Sequence, residues 1–390
     1  MSQAPPKILP VIVFAQFAGT SLWFAGNAVV NDLQQLVGAD NDVTGAITLA
    51  VQLGFILGTL LFAVLSISDR FSPSKVFLIS AMLAAVFNIG IYWFASSIVS
   101  VLLFRFLTGF FLAGIYPVGM KIASDWYQSR LGGALGFLVG ALVLGTAFPH
   151  ILSAFPDSLS WQSILFTTSA LSVSGGVILY LTVGDGPHRV PAPGFSFGAI
   201  PKIFGFRDFR SAACGYFGHM WELYAFWAFV PAILTTYNRL HGTSIDVSFW
   251  SFVTIGVGAI SCVAGGFISK SKGSVSVAFC MLLVSGLFCF VSPILFHLPQ
   301  WLFLCGLVIW GFAVVGDSPQ FSAVVAKTAP KMYLGTALTI VNGIGFALTL
   351  VSIQLLVILF ESLPAQWIYI ALLPGPLFGL ISIERLRGEL

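Results

Sequence analysis

From Val11 to Val30 the chain runs for twenty residues without one charged side chain, and runs of this kind recur along its whole length. A helix needs about 20 apolar residues to cross a bilayer core about 30 Å thick. Lipid offers the backbone no hydrogen bonds, so only helices and closed barrels can span it. Barrels show alternating strands of about ten residues, whereas these runs are continuous, and a barrel is excluded. Of 390 residues, 58% are hydrophobic and only 8% charged, against about a quarter charged in globular proteins. Mean hydropathy is +0.98. Twelve helices of about 21 residues would use about 250 residues and leave about 140 for connections. The expected fold class is an all-α polytopic membrane protein.

Apolar runs between punctuation predict spans at Ile8 to Val30, Val43 to Leu65, Lys75 to Phe94, Ile98 to Met120, Leu131 to Leu152 and Trp161 to Val183. A polar stretch from Gly184 to Arg210 follows. Six more spans are expected at Ser211 to Tyr237, Val247 to Ile268, Val275 to Phe296, Trp301 to Val325, Tyr333 to Phe360 and Pro364 to Ile383. Cations in short loops mark the cytoplasmic side. An inside N-terminus puts 15 of the 17 there: Lys7, Arg70, Lys75, Lys121, Arg130, Arg189, Lys202, Arg207, Arg210, Lys270, Lys272, Lys327, Lys331, Arg385 and Arg387. Arg239 falls outside and Arg105 within the membrane, while Asp32, Asp40, Asp42, Asp157, Asp246 and Glu361 decorate the outer loops. The expected location is the cell's inner or plasma membrane, multi-pass, with both termini cytoplasmic. The N-terminal MSQAPPK lacks a cleavable signal pattern, so the first span is expected to remain.

The net charge of +3 is too small to argue for a nucleic-acid surface. Cys214, Cys262, Cys280, Cys289 and Cys305 lie in apolar runs without a CxxC or Cys/His cluster and read as buried thiols. The acidic Asp40 to Gly45 segment opens like a calcium loop, but Val51 stands where the bidentate Glu belongs, and an outer turn is expected instead. With no P-loop, HExxH or GxSxG, the chain has no residues for nucleotide-driven pumping or catalysis. It is expected not to be an enzyme and to need no metal or cofactor.

The chain repeats itself. Gly109-Phe110-Phe111-Leu112-Ala113-Gly114-Ile115-Tyr116-Pro117 recurs as Gly311-Phe312-Ala313-Val314-Val315-Gly316-Asp317-Ser318-Pro319, 202 residues later. Leu131-Gly132-Gly133-Ala134-Leu135 with Gly140 matches Leu334-Gly335-Thr336-Ala337-Leu338 with Gly343, a shift of 203, and Ser68 to Arg70 faces Ser269 to Ser271. Two parallel six-helix repeats are expected, residues 1–183 and 211–390, joined by a cytoplasmic linker at 184–210. Parallel repeats are one transporter architecture.

Ser68-Asp69-Arg70-Phe71-Ser72-Pro73-Ser74-Lys75 resembles the major facilitator superfamily loop between the second and third spans, usually D-R-x-G-R-R/K, with Ser72 and Ser74 replacing the usual Gly and cation. Arg105-x-x-x-Gly109 resembles that superfamily's second motif. The resemblance covers the whole chain and implies that the first, fourth, seventh and tenth spans surround a central cavity. The glycine-rich fifth span also resembles that of nitrate and nitrite porters, but the arginines those porters carry on the second and eighth spans have no counterpart here.

Ionisable groups inside a bilayer cost about 2.5 to 3.5 kcal/mol each and mark function by default. Four stand well inside: Arg105, His219, Glu222 and Asp317. At 1.5 Å per residue, Arg105 lies roughly 11 Å and Glu222 roughly 13 Å below the outer face. A proton carrier beside a mobile Arg105, or a structural ion pair, fits this matched depth. His219 and Glu222 are spaced i, i+3 on one helical face. Gln16, Thr20, Trp23 and Asn27 form a polar stripe which, shifted by 199, falls on Gly215, His219, Glu222 and Phe226. A shared cavity or interhelical hydrogen bonding explains the stripe. Most aromatics of the seventh span, Tyr216, Phe217, Trp221, Tyr224, Phe226, Trp227 and Phe229, read as lipid-facing bulk and an interfacial belt, with lining of an amphipathic-solute site as the other reading. Asp317, before Pro319, fits a bend or an inner-gate ion pair with a cation such as Lys121. Gly54 and Gly58, and Gly132, Gly136 and Gly140, read as close-packing faces.

The expected function is alternating-access transport of a small organic solute, coupled to protons, by a monomer in the lipid bilayer. Arg105, His219, Glu222, Asp317, Gln16, Asn27 and Trp23 are the expected substrate and proton pathway, with Asp69 and Arg70 at the gate. An uncoupled facilitator and a non-transporting receptor or scaffold are the alternatives. Antiport of drugs has less support, because the fifth span lacks the Gly-Pro-x-x-Gly-Gly signature.

Overall fold

A computed structural model of the chain describes residues 5–39, 43–127, 131–155, 159–189 and 195–388. Asp40, Asp42, Arg130 and Asp157, which enter the charge argument, lie outside the described residues, as does the start of the calcium-like segment. The described residues are helical without strands. They form two compact units, Met1–Phe195 and Ser196–Leu390.

In the first unit the helices are α1 (Ile8–Thr20), α2 (Ala25–Ala28), α3 (Val30–Val37), α4 (Thr44–Val64), α5 (Ile67–Arg70), α6 (Pro73–Phe94), α7 (Ile98–Leu112), α8 (Tyr116–Trp126), α9 (Leu131–Ser153) and α10 (Trp161–Thr182). In the second they are α11 (Ile200–Gly205), α12 (Arg207–His241), α13 (Val247–Lys272), α14 (Ser274–Leu295), α15 (Gln300–Gly316), α16 (Ser318–Thr328), α17 (Leu334–Ser362) and α18 (Pro374–Ile383). Among the described residues ten helical segments are long and apolar enough to cross a membrane, α7–α8 and α15–α16 each counting as one. The shorter apolar α1 and the 35-residue α12 complete the twelve. His219 and Glu222 dilute the apolar character of α12. Side chains such as Ile79, Val86, Leu287, Phe290 and Ile381 are exposed, as a lipid-facing surface requires.

The first span is not the single helix that its apolar run predicts. It ends at Thr20, passes through a turn at Ser21–Phe24, where Ser21 N still bonds Phe17 O and Trp23 N bonds Thr20 O, and resumes as α2 and α3. Thr20 and Ser21 hydroxyls bond back to the carbonyls of Gln16 and Ala18 at 2.8 and 2.7 Å, a local competition that weakens helix continuation. The fourth and tenth spans are likewise interrupted, at Ala113–Ile115 and at Asp317, in each case just before a proline near the start of the next helix. Proline fits a first turn and not a helix interior.

The two units pack their helices in the same way: α4 on α7 corresponds to α13 on α15, α6 on α10 to α14 on α18, and α1 on α9 to α12 on α17. The repeated glycines are the physical cause of the first correspondence. A Cβ on Gly109 would strike the carbonyl of Val51, and one on Gly311 that of Thr254. Gly114 abuts the Ser80 hydroxyl of α6, and Gly316 the Ser261 hydroxyl of α13. Gly54 and Gly58 meet the backbone of Phe106 and Phe110, so their close-packing role is realised in the α4–α7 crossing.

Two expectations are overturned by burial. Tyr216, Tyr224, Phe226, Trp227 and Phe229 on α12 are buried inside the protein and do not face lipid, because α12 is clasped by α13, α16, α17 and α18. Of the five cysteines only Cys262 and Cys289 are buried, while Cys280 and Cys305 sit on the exposed apolar surface and Cys214 is intermediate. An apolar run fixes that a residue is in the membrane, not which side of its helix meets protein.

Candidate functional site

The break in the first span leaves the carbonyls of Leu22 and Trp23 without helical partners, and Arg105 of α7 takes them. Its Nη1 donates to Leu22 O at 3.1 Å and to Asn88 Oδ1 at 3.2 Å, and its Nη2 donates to Trp23 O. Asn88 in turn donates through Nδ2 to Leu165 O, Thr168 Oγ1 and Ser169 Oγ of α10 at 3.0 to 3.3 Å. One fully buried guanidinium thus ties the broken span, α6 and, through Asn88, α10. Among the described residues no carboxylate pairs with it, and it is the carbonyl dipoles that answer its charge.

In the second unit Glu222, 1% exposed, holds a comparable junction with the opposite sign. Its Oε2 accepts from Ser285 Oγ at 2.9 Å, and its Oε1 accepts from Trp310 Nε1 at 2.8 Å and Cys289 Sγ at 3.3 Å. Three donors from α14 and α15 therefore surround one carboxylate of α12. One turn away, His219 Nδ1 lies 2.8 Å from Asp317 Oδ1, at the interruption between α15 and α16. Both members of this pair are buried, and Phe321 lies 5.8 Å from the imidazole, centroid to centroid.

The expected residues therefore fall into separate clusters. Every hydrogen-bond partner described for Arg105 lies in the first unit, and every one for Glu222 in the second. Asp317 is paired with His219, whereas Lys121 pairs with Asp69 at 2.9 Å and reaches Asp125 at 4.0 Å. Arg70 is exposed. Gln16 is buried on α1 with its carboxamide against Gly119. The Trp23 ring lies on Phe55 of α4 at 4.6 Å, and Asn27 Nδ2 donates to Thr48 Oγ1 at 2.6 Å.

Sequence reasoning missed the partners. Asn88, Ser285 and Cys289 are small polar groups inside apolar runs, and a shift of 201 carries Asn88 onto Cys289, so the internal repeat was the signal available. It also missed two further buried ionisable groups, His150 on α9 beside Phe24 and Asp125 on α8 near Lys121.

On the loop side, Asp185 explains the departures at Ser72 and Ser74. Its Oδ1 accepts from Ser72 Oγ at 2.8 Å, Ser74 N at 3.1 Å and Ser74 Oγ at 3.0 Å, capping the start of α6. Arg189 bonds Asp185 Oδ2 at 3.1 Å and also grips the carbonyls of Asp69 and Phe71. Partial burial pushes the Asp185 carboxyl up, but the Ser74 amide, the two hydroxyls and Arg189 outweigh it and hold the group below the usual carboxylate range.

Two repeated six-helix units with ionisable groups buried at span junctions define a membrane transporter of the two-repeat type. The chain belongs to the Major Facilitator Superfamily, whose family model matches residues 11–381. The chain is similar in fold to the crystal structure of the human organic anion transporter MFSD10 (TETRAN), with a TM-score of 0.75 and 15% identity, covering 97% of this chain and 100% of that one. At that identity the likeness speaks for the fold alone. No curated protein matches the chain.

Proposed function

We propose that the protein is a proton-coupled secondary transporter of a small organic solute, working by alternating access as a monomer, with Glu222 as its proton carrier. The observation that carries this reading is the Glu222 junction: a carboxylate on α12 bonded to α14 and α15, buried where an ionisable group is costly. A bound proton would cancel the charge that orients the three donors, so protonation and the packing of those spans are linked. The His219–Asp317 pair, one turn away, offers a second titratable step.

The orientation proposed is a plasma or inner membrane with both termini cytoplasmic, supported by the loop charges. A cysteine placed in the 184–210 linker should be labelled only from the cytoplasmic side; labelling from outside in intact cells would invert the topology. Asp69, bound to Lys121, is proposed as a gate residue: Asp69→Asn should slow turnover and largely preserve ligand affinity, and unchanged transport would remove it from the gate.

The decisive experiment reconstitutes Glu222→Gln in liposomes. Counterflow exchange should survive while accumulation driven by a pH gradient disappears. A variant that still concentrates solute with the pH gradient excludes Glu222 as carrier and moves the role to Asp317. A wild-type protein that exchanges but never accumulates is an uncoupled facilitator.

A further inference from the structure

The transport reading leaves unused the surface of the second unit where α11 lies. Ser196 N donates to Thr336 Oγ1 at 3.2 Å and Ile203 is fully buried, so α11 is fastened onto α12 and the start of α17. A single tight turn, Lys331–Tyr333, leads into α17. Around this contact large apolar side chains stand in the open: Phe197 is 63% exposed, Phe206 53% and Met332 67%, and Leu334 is exposed as well. Lys202, Arg207, Arg210 and Lys331 are exposed among them. The nearby carboxylates are already engaged. Asp208, at the start of α12, takes Arg385 at 2.7 Å, and Glu384, just after α18, takes Arg387 at 3.2 Å. Among the described residues no carboxylate pairs with Lys202, Arg207, Arg210 or Lys331, and Arg210 instead donates to Phe204 O at 3.0 Å.

We infer that this α11–α17 surface is a binding site for anionic phospholipid, with Lys202 and Lys331 at the headgroup and Phe197, Phe206 and Met332 against the acyl chains. Exposed rings beside cations suit a surface that rests on a bilayer, where the rings enter the boundary between headgroups and acyl chains and the cations meet phosphate. The occupant is a lipid because α12 and α17 pass directly from this surface into membrane-crossing segments. Its charge follows from the balance of groups: an anionic lipid supplies the countercharge that the engaged carboxylates do not, whereas a zwitterionic lipid brings its own cation with each phosphate. The site lies outside the proton pathway, and the inference does not depend on the transport reading.

The test titrates the full chain in dodecylmaltoside micelles with dioctanoyl phosphatidylglycerol and dioctanoyl phosphatidylcholine, and counts bound lipid by native mass spectrometry. Phosphatidylglycerol should bind at least about tenfold tighter, since each cation at an anionic surface contributes about fivefold. Lys202→Gln with Lys331→Gln should lower that preference at least about fivefold. Arg70→Gln with Lys75→Gln removes the same charge from the first unit, where Asp69 and Asp185 stand close by, and should leave the preference within about twofold. All four cations are exposed, so both double variants should keep the wild-type melting temperature. Three results would each overturn the inference: equal binding of the two lipids, an equal loss in the two double variants, or glycerol 3-phosphate bound as tightly as phosphatidylglycerol. The last would reveal an anion site that needs no acyl chain.

Discussion

At one junction in each repeat the two units solve the same problem with opposite charge. In the first, Arg105 on the fourth span reaches Asn88 on the third and the opened backbone of the first. In the second, Glu222 on the seventh span reaches Cys289, which stands where Asn88 does after a shift of 201, and Trp310 on the tenth. Where Arg105 stands, a shift of 202 gives Leu307; where Glu222 stands, a shift of 199 gives Trp23. The sign of the charge matches the backbone that meets it. A guanidinium is donor-only and needs acceptors, which the break in the first span provides as free carbonyls. A carboxylate is acceptor-only and is satisfied by side-chain donors, so α12 runs on unbroken from Arg207 to His241. A guanidinium keeps its proton across the physiological range, whereas a carboxylate can gain one. On the proposed function the first junction is a permanent lock and the second a switchable one.

Removing the permanent lock should have the largest effect. Arg105→Met strands two carbonyls and the Asn88 amide oxygen, and should cost about 3 to 5 kcal/mol, read as denaturant unfolding in mixed micelles. Arg105→Lys should recover only part of this, since an ammonium lacks the planar fork that spans Asn88 and both carbonyls. Equal stability of Arg105→Met and wild type would mean that the break persists by itself and the comparison fails.

The glycine crossings should respond alike, because the repeat makes them equivalent. Gly109→Ala and Gly311→Ala each push a Cβ into a facing carbonyl and should each cost about 1 to 3 kcal/mol. A loss at one position only would show that the two crossings are not energetically equivalent.

The switchable lock predicts a smaller effect on stability. In Glu222→Gln, Ser285 and Cys289 can turn to accept from the new amide, so the loss should be about 1 kcal/mol or less, while pH-driven accumulation is lost. A large destabilisation would identify Glu222 as a structural staple and dissolve the contrast with Arg105.

The smallest effect belongs to the loops. After the sixth span Asp185 caps α6, whereas after the twelfth Arg387 lies over the Phe279 ring of α14 at 4.0 Å. Asp185 has a folded pKa below its unfolded value, so its stabilisation is present above about pH 4 and is lost as pH falls through the folded value. Asp185→Asn should cost about 0.5 kcal/mol and should raise hydrogen exchange at Ser74 and Lys75 at neutral pH; the acid-dependent increase in exchange seen in wild type should vanish.

The sequence by itself determined the spans, the repeat and the identity of most of the costly groups. Apolar length, the 202-residue echo around Gly109 and Gly311, and the rarity of charge in lipid are all local or periodic properties of the chain. It did not determine partners. Matched depth suggested Arg105 beside Glu222, yet each is bonded within its own unit, because a depth along the bilayer says nothing of direction around the helix axis. Tertiary structure decided that the first span opens after Thr20: the Thr20 and Ser21 hydroxyls weaken the helix only locally, and the freed carbonyls find their donor 82 and 83 residues away. It also decided that the α12 aromatics are core, and that Ser72 and Ser74 answer a carboxylate more than a hundred residues later. Hydrogen bonds of this reach form only once helices have packed, and a linear pattern records the groups that need them without recording who supplies them.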